Sequence, residues 1–105
     1  LDEGAFACPL DFDSYWKGSA FEQADKLATD DKAQLDFYRS VGYFGDTPVP
    51  YADIGEIAAD KQPGRQSDNE RIISLHLVLA LEDVTSALII YNKAVKMGIG
   101  TQLPL

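Results

Sequence analysis

The sequence predicts an α/β fold in a single small domain. Two observations carry that reading. Short apolar segments bounded by prolines, glycines and paired acids recur through the first part of the chain, and a sustained helical repeat of Val84, Leu88, Tyr91 and Val95 occupies the last part. At 105 residues, with 46% apolar and 10% aromatic residues, the chain can order around one core but has little surface to spare for a second.

The elements follow in order. Gly4-Ala-Phe-Ala-Cys-Pro-Leu10 is a small apolar segment read as a short buried strand with Pro9 at its end. Phe21 to Ala24 reads as one helical turn. Lys26-Leu-Ala-Thr-Asp-Asp31 reads as a strand running into an acidic loop or a helix start. Asp30 or Asp31 is placed to cap a helix containing Leu35, Tyr38 and Arg39, which Gly42 closes. Gly45 to Pro50 is a loop, because Pro48 and Pro50 remove donors and hold their neighbours extended. Tyr51 to Ala59 reads as a helix with Ile54, Ile57 and Ala58 on one face, followed by a turn at Lys61 to Ser67. Arg71 to Leu81 is almost continuously apolar and fits a buried strand, a buried helix or one passing into the other. From about Asp83 to Met97 the repeat predicts a helix, with Glu82-Asp83 capping its start, Lys93 and Lys96 near its end and Gly98 as C-cap.

Charge is unevenly spread. The formal net charge is -8, and a field of that sign disfavours nucleic acid as a partner. Residues 1–60 hold 13 acids and 4 bases, a net of -9, and residues 61–105 hold 4 acids and 5 bases, a net of +1. The longest apolar run, Leu77 to Leu81, is far short of the roughly 20 residues that cross a bilayer, so no membrane partner is expected. The single cysteine, Cys8, is expected to be a small buried hydrophobe in a reducing, cytoplasmic setting.

Several residues are candidates for chemistry, each beside a plainer alternative. Asp13 and Lys17 would meet on one face if a helical turn formed between them. They are then either a solvated pair, or a carboxylate that handles a cationic amine beside a lysine that contacts an anionic cofactor. Asp30-Asp31 is a helix start with no histidine near it in sequence, so no metal site is expected. Gly64-Arg65 is a surface turn or a basic group presented to an anion. His76 lies in the apolar stretch and is either a satisfied core or interface residue or a site residue, with Ser74 and Ser86 as possible neighbours. The stripe on the last helix is core or subunit interface, with Tyr91 as its aromatic anchor. Neither GxGxxG nor GxxxxGK[ST] is present.

Several segments, in the right order and separation, resemble the C-terminal third of the ornithine cyclodeaminase and mu-crystallin family, which includes an archaeal type of alanine dehydrogenase. Glu3-Gly-Ala-Phe resembles the segment that follows the last strands of the nucleotide-binding domain. Asp13-Ser-Tyr-Trp-Lys17 resembles the family's Asp-x-Pro-Gly-Lys element, with Tyr15 and Trp16 in place of proline and glycine. Lys26 to Gln34 resembles a strand ending in paired acids. Ile54-Gly-Glu-Ile with Gly64-Arg-Gln-Ser-Asp68 resembles the family's Ile-Gly-Glu-Ile and Gly-Arg-x-Ser-Asp, and Leu79-Ala-Leu-Glu-Asp-Val, Tyr91, Ala94 and Gly98-Ile-Gly100 continue the pattern.

The resemblance implies a C-terminal fragment of a two-domain, Rossmann-type enzyme that uses NAD or NADP. Residues 1–50 would close the nucleotide-binding domain and residues 51–105 would return to the substrate and dimerisation domain. A phosphate loop upstream would explain both its absence here and the lack of an initiator methionine. It implies a small amino or imino acid as substrate, a homodimer, Asp13 as the catalytic acid, and Lys17 and His76 as cofactor contacts. His76 stands where the family's Phe-x-Ser-x-Gly has serine, and Val78 where it has glycine. Two other expectations follow: a crystallin-like parent that binds ligand without turnover, and an independent acidic interaction module. The isolated chain is expected to be inactive.

Overall fold

A computed structural model describes residues 1–10, 12–13 and 16–104. Strand formation follows the apolar segments. β1 (Phe6–Ala7), β2 (Lys26–Thr29), β3 (Ala52–Asp53) and β4 (Ile72–Leu75) form one sheet in the order β1-β4-β2-β3, and every pair is parallel. The chain steps outward from β2 to β3 and then returns to insert β4 between β1 and β2. Four helices complete the fold: α1 (Gly18–Phe21), α2 (Lys32–Ser40), α3 (Ile54–Ala58) and α4 (Ala80–Met97).

The register of β2 on β4 sets the core. Leu27 pairs with Ile73 and Thr29 with Leu75, so these four point to one face. There they meet Leu35 of α2, Phe21 and Phe44, while Tyr38, Phe12 and Trp16 pack at the margin. Leu35, Ile73 and Thr29 are the largest fully buried side chains. Truncating Leu35 to alanine would cost about 2–5 kcal/mol. The Asp31 side chain accepts the Gln34 N–H at 2.9 Å and starts α2, and Gly42, at φ +99°, closes the turn after it, both as expected.

Several expectations are corrected. The one-turn helix α1 begins at Gly18, three residues before the expected start. The helix expected from Tyr51 begins only at Ile54, because Ala52 and Asp53 pair with Ala28 and Thr29. The apolar stretch after Arg71 resolves as a strand that passes into a helix. α4 starts at Ala80, so Glu82 and Asp83 lie within its first turn and Leu79, which has no capping side chain, stands at its N-cap. Ala80, Leu81 and Glu82 are good helix formers, and their propensity carries the helix start upstream of Asp83. Cys8 is exposed, and so is Phe6, because β1 is a two-residue edge strand with only β4 beside it. β3 and β4, on the later side of residue 50, pair in the same sheet as β1 and β2.

That departure shapes the molecule. From Asp83 to Met97 every residue except Ala94 is exposed, including Val84, Leu88, Tyr91 and Val95. The radius of gyration is 17.1 Å, against about 13 Å for a compact domain of this length. Gly98 ends the helix in the left-handed region, at φ +65°.

Candidate functional site

Parallel strands deliver their carboxyl ends to one edge, where open α/β sheets bind ligands. Here that edge carries Asp30 after β2 and Ser74 and His76 at and after the end of β4. The acids of the Asp30-Asp31 pair have separate jobs. Asp31 caps α2, while Asp30 accepts the Leu77 N–H at 2.8 Å and the Asp31 N–H at 3.0 Å. Asp53, after β3, accepts the Lys32 N–H at 2.7 Å and so also holds the start of α2.

His76 is half-buried with both ring nitrogens partnered. Nε2 lies 3.1 Å from Ser74 Oγ, and Nδ1 lies 3.3 Å from a Glu82 carboxylate oxygen in the first turn of α4. Of the two serines expected as neighbours, Ser74 is the one that reaches it. Asp30, His76 and Glu82 converge so that one ligand-type atom from each lies within 4.8 Å of the others. This constellation is invisible in sequence, where 46 residues separate Asp30 from His76; parallel pairing of β2 with β4 creates it. Glu82 also acts on Cys8: partial burial first, and then the Glu82 charge, push the thiol pKa up.

Ser74 and His76 line a groove of about 440 Å³ on the sheet face opposite the core, with Phe6, Ala28, Tyr51 and Ile72 among its other walls. Its two basic residues are already engaged. Lys26 Nζ donates to Gly64 O at 2.6 Å and Gln66 Oε1 at 2.8 Å and pairs with Glu70 at 3.1 Å. Arg65 donates to the carbonyls of Glu70 at 2.6 Å and Gly4 at 3.1 Å. The Gly64-Arg65 turn therefore clasps the start of the chain instead of presenting a cation. Gly4 is required in that clasp: it sits at φ +73°, and a Cβ there would lie 2.4 Å from Asp68 O.

Asp13 lies elsewhere. Phe12 packs edge-on against Tyr38 at 4.6 Å, and Trp16 lies 6.1 Å from Phe21, so aromatic contacts seat both flanks of the Asp13 segment on the core. Asp13 itself is exposed and lines a cavity of about 240 Å³ with Phe12, Trp16, Phe44 and Leu75. Leu75 and His76 point to opposite faces of the sheet, so Asp13 and His76 open into different cavities. Lys17 is exposed at the N-cap of α1. Among the described residues no ion pair links the two. Ser14 and Tyr15, including the tyrosine that replaces the family proline, lie outside the described residues.

Comparison with known proteins adds the chemical context. No family model matches the chain. It is 31% identical, over its whole length, to N-((2S)-2-amino-2-carboxyethyl)-L-glutamate dehydrogenase of Staphylococcus aureus, covering 33% of that protein. It is 27% identical over 77% of its length to a Delta(1)-pyrroline-2-carboxylate reductase of Bacillus thuringiensis, covering 25% of it. Among solved structures, 98% of the chain superposes on 35% of the Thermococcus litoralis Delta(1)-pyrroline-2-carboxylate reductase, solved with NADH and L-proline, at a TM-score of 0.65 and 22% identity. All of it superposes on 35% of an archaeal alanine dehydrogenase dimer with bound NAD, at a TM-score of 0.60 and 25% identity.

The relatives belong to the ornithine cyclodeaminase and mu-crystallin family, which the chain resembles. It spans about a third or less of the length of the relatives it matches. Against that family's Phe-x-Ser-x-Gly pattern it departs at a backbone position that matters. Val78, at the glycine position, has φ +61°, a conformation glycine adopts freely and a β-branched residue rarely does. The left-handed turn here therefore carries a β-branched residue where the family pattern has glycine. Phe44, beside Asp13, is likewise left-handed at φ +53°, so each candidate cavity has a strained backbone position on or beside its wall.

Proposed function

We propose that this chain is part of an NAD(P)-dependent oxidoreductase acting on a small amino or cyclic imino acid, and that it supplies the last strands of the nucleotide-binding sheet and the helix that returns to the dimer domain. The observation that carries this reading is the match over the whole chain to a dehydrogenase and over 77% of it to an imino-acid reductase, joined to an all-parallel sheet whose carboxyl edge gathers the polar side chains. Dehydrogenase or imine-reductase chemistry is favoured over cyclodeamination because those are the activities the matched relatives are named for.

The residues present fit part of a dinucleotide. The groove beside Ser74 and His76 is largely apolar with a hydroxyl and an imidazole at its edge, which suits an uncharged ring. The phosphates find no mobile cation there, because Lys26 is paired with Glu70 and the guanidinium of Arg65 is held by backbone carbonyls. Their binding therefore falls to residues outside this chain, and the chain alone is inactive.

When bound, the nicotinamide supplies or accepts the hydride. In the imine-reducing direction the substrate carbon gains that hydride and the nitrogen gains a proton. Asp13 is the proton-handling group at the nitrogen, Lys17 contacts the cofactor or orients Asp13, and His76 bounds the cofactor groove. The Asp13 cavity and the His76 groove open on opposite faces of the sheet, so the imine and the nicotinamide lie together on the Asp13 side, the His76 groove takes another part of the cofactor, and the remaining walls come from the rest of the polypeptide. The exposed apolar residues of α4 then lie against the dimer domain, with Tyr91 as anchor.

A crystallin-like parent that binds ligand without turnover is the second reading, favoured by Val78: its side chain stands where glycine would let the backbone approach the cofactor. The test uses the complete reading frame. Saturable oxidation of NADH or NADPH with Δ1-pyrroline-2-carboxylate or another α-imino acid supports the enzyme. Tight NADH binding without turnover against a broad imino- and amino-acid panel supports the second reading, and absence of nicotinamide binding overturns both.

A further inference from the structure

We propose that Asp30, His76 and Glu82 form a binding site for a divalent cation of the zinc class, pinned between the sheet and the first turn of α4. The three ligands come from three elements: the end of β2, the residue after β4, and α4. Zinc holds imidazole nitrogen and carboxylate oxygen at about 2.0–2.2 Å, which places neighbouring ligand atoms of a tetrahedron about 3.3–3.5 Å apart. His76 Nδ1 already stands 3.3 Å and 3.4 Å from the two Glu82 oxygens. One ligand-type atom of Asp30 lies within 4.8 Å of one from His76 and one from Glu82, so closure needs a side-chain shift of up to about 1.5 Å.

The surroundings have the features that orient ligands in metal sites. Ser74 Oγ meets Nε2, the ring nitrogen opposite the one beside Glu82, and fixes the imidazole plane. Asp30 Oδ1 takes the Thr29 hydroxyl and the Asp31 N–H, and Oδ2 takes the Leu77 N–H, which leaves Oδ2 one lone pair for a cation. Among the described residues neither Asp30 nor Glu82 pairs with a lysine or arginine, although two carboxylates converge on one ring. One imidazole with two carboxylates selects zinc, cobalt or manganese over magnesium, which favours an all-oxygen shell.

The proposal does not depend on the oxidoreductase reading. It engages His76 on the side away from Ser74 and ties α4 to the sheet, so zinc and cofactor compete for the ring if both bind. The experiment is calorimetric titration of Zn²⁺ into the complete, metal-stripped protein without nicotinamide, beside the variants His76→Gln, Glu82→Gln and Ser74→Ala, with Cys8→Ser as control. The expected result is one Zn²⁺ per chain, weakened at least about tenfold by either glutamine variant and about tenfold by Ser74→Ala, unchanged by Cys8→Ser, and not displaced by millimolar Mg²⁺. The glutamines keep a hydrogen-bonding side chain, and circular dichroism checks that each variant is folded. If a variant is unfolded, Co²⁺ absorption of the wild-type protein decides: bands of a low-coordinate nitrogen and oxygen site support the proposal, while a thiolate charge-transfer band overturns it. Absence of stoichiometric Zn²⁺ binding, or binding that survives both glutamine variants, also overturns it.

Discussion

The carboxylate of Asp30 accepts the backbone N–H of Leu77 at 2.8 Å, and that bond fixes the point at which the chain leaves the sheet. Leu77 is buried, Val78 turns left-handed, Leu79 caps, and α4 begins. One charge-assisted bond and one strained residue therefore set the direction of the longest helix.

Val78→Gly removes the left-handed strain, about 1–2 kcal/mol, and adds unfolded-state entropy of about 0.5–1 kcal/mol. The net expectation is a gain in stability of up to about 1 kcal/mol, seen as a higher urea midpoint at unchanged m-value. Under the oxidoreductase reading the same change also tightens NADH binding by the complete protein, because it restores the family's glycine at the cofactor edge. A loss of stability of more than about 1 kcal/mol would show that Val78 does not adopt this turn.

Glu70 gives a pH dependence with a definite sign. Its pKa is lowered, first by the Gln66 N–H and then, against a smaller opposing desolvation, by Lys26 and the Ser67 N–H. A carboxyl group depressed on folding contributes stability that is present above its unfolded pKa and lost as pH falls through its folded value. Glu70→Gln should therefore lower stability at neutral pH and flatten the loss seen on acidification below the ordinary carboxylate range. Unfolding midpoints measured from pH 7 down to pH 3 provide the check, and parallel wild-type and variant profiles would contradict the assignment.

Cys8 is exposed yet expected to react slowly. With its pKa raised, less of the nucleophilic thiolate is present at neutral pH than for a free cysteine. Iodoacetamide should alkylate it more slowly than it does the urea-unfolded chain, and Glu82→Gln should recover only the smaller part of the difference, because burial is the larger cause. Full recovery in that variant would reverse the order of the two causes.

The sequence made the α/β class, the Asp31 cap, the Gly42 stop and the Gly98 end of the last helix legible, because each depends on a residue's own conformational preference. It did not show the two-residue strand β3, whose existence depends on the edge of β2. Nor did it show that Cys8 is exposed, which follows from β1 having only β4 as a neighbour. Asp13 was singled out by its motif, and its aromatic seating appears only once Phe12 and Trp16 meet α1 and α2. The His76 cluster was hidden for a stronger reason: strand order, a property of the whole sheet, brings Asp30 to it. Arg65 was legible as a basic turn residue, but its clasp on the carbonyls of Glu70 and Gly4 was not.

The most direct test of the account is the kinetics of Asp13→Asn in the complete protein with NADH and Δ1-pyrroline-2-carboxylate. The account predicts kcat lowered by about 100-fold or more, as for a lost general acid, with the Kd for NADH within about twofold of wild type, since Asp13 acts at the imine nitrogen and the cofactor groove bounded by His76 opens on the other face of the sheet. Unchanged turnover in that variant would contradict the role of Asp13.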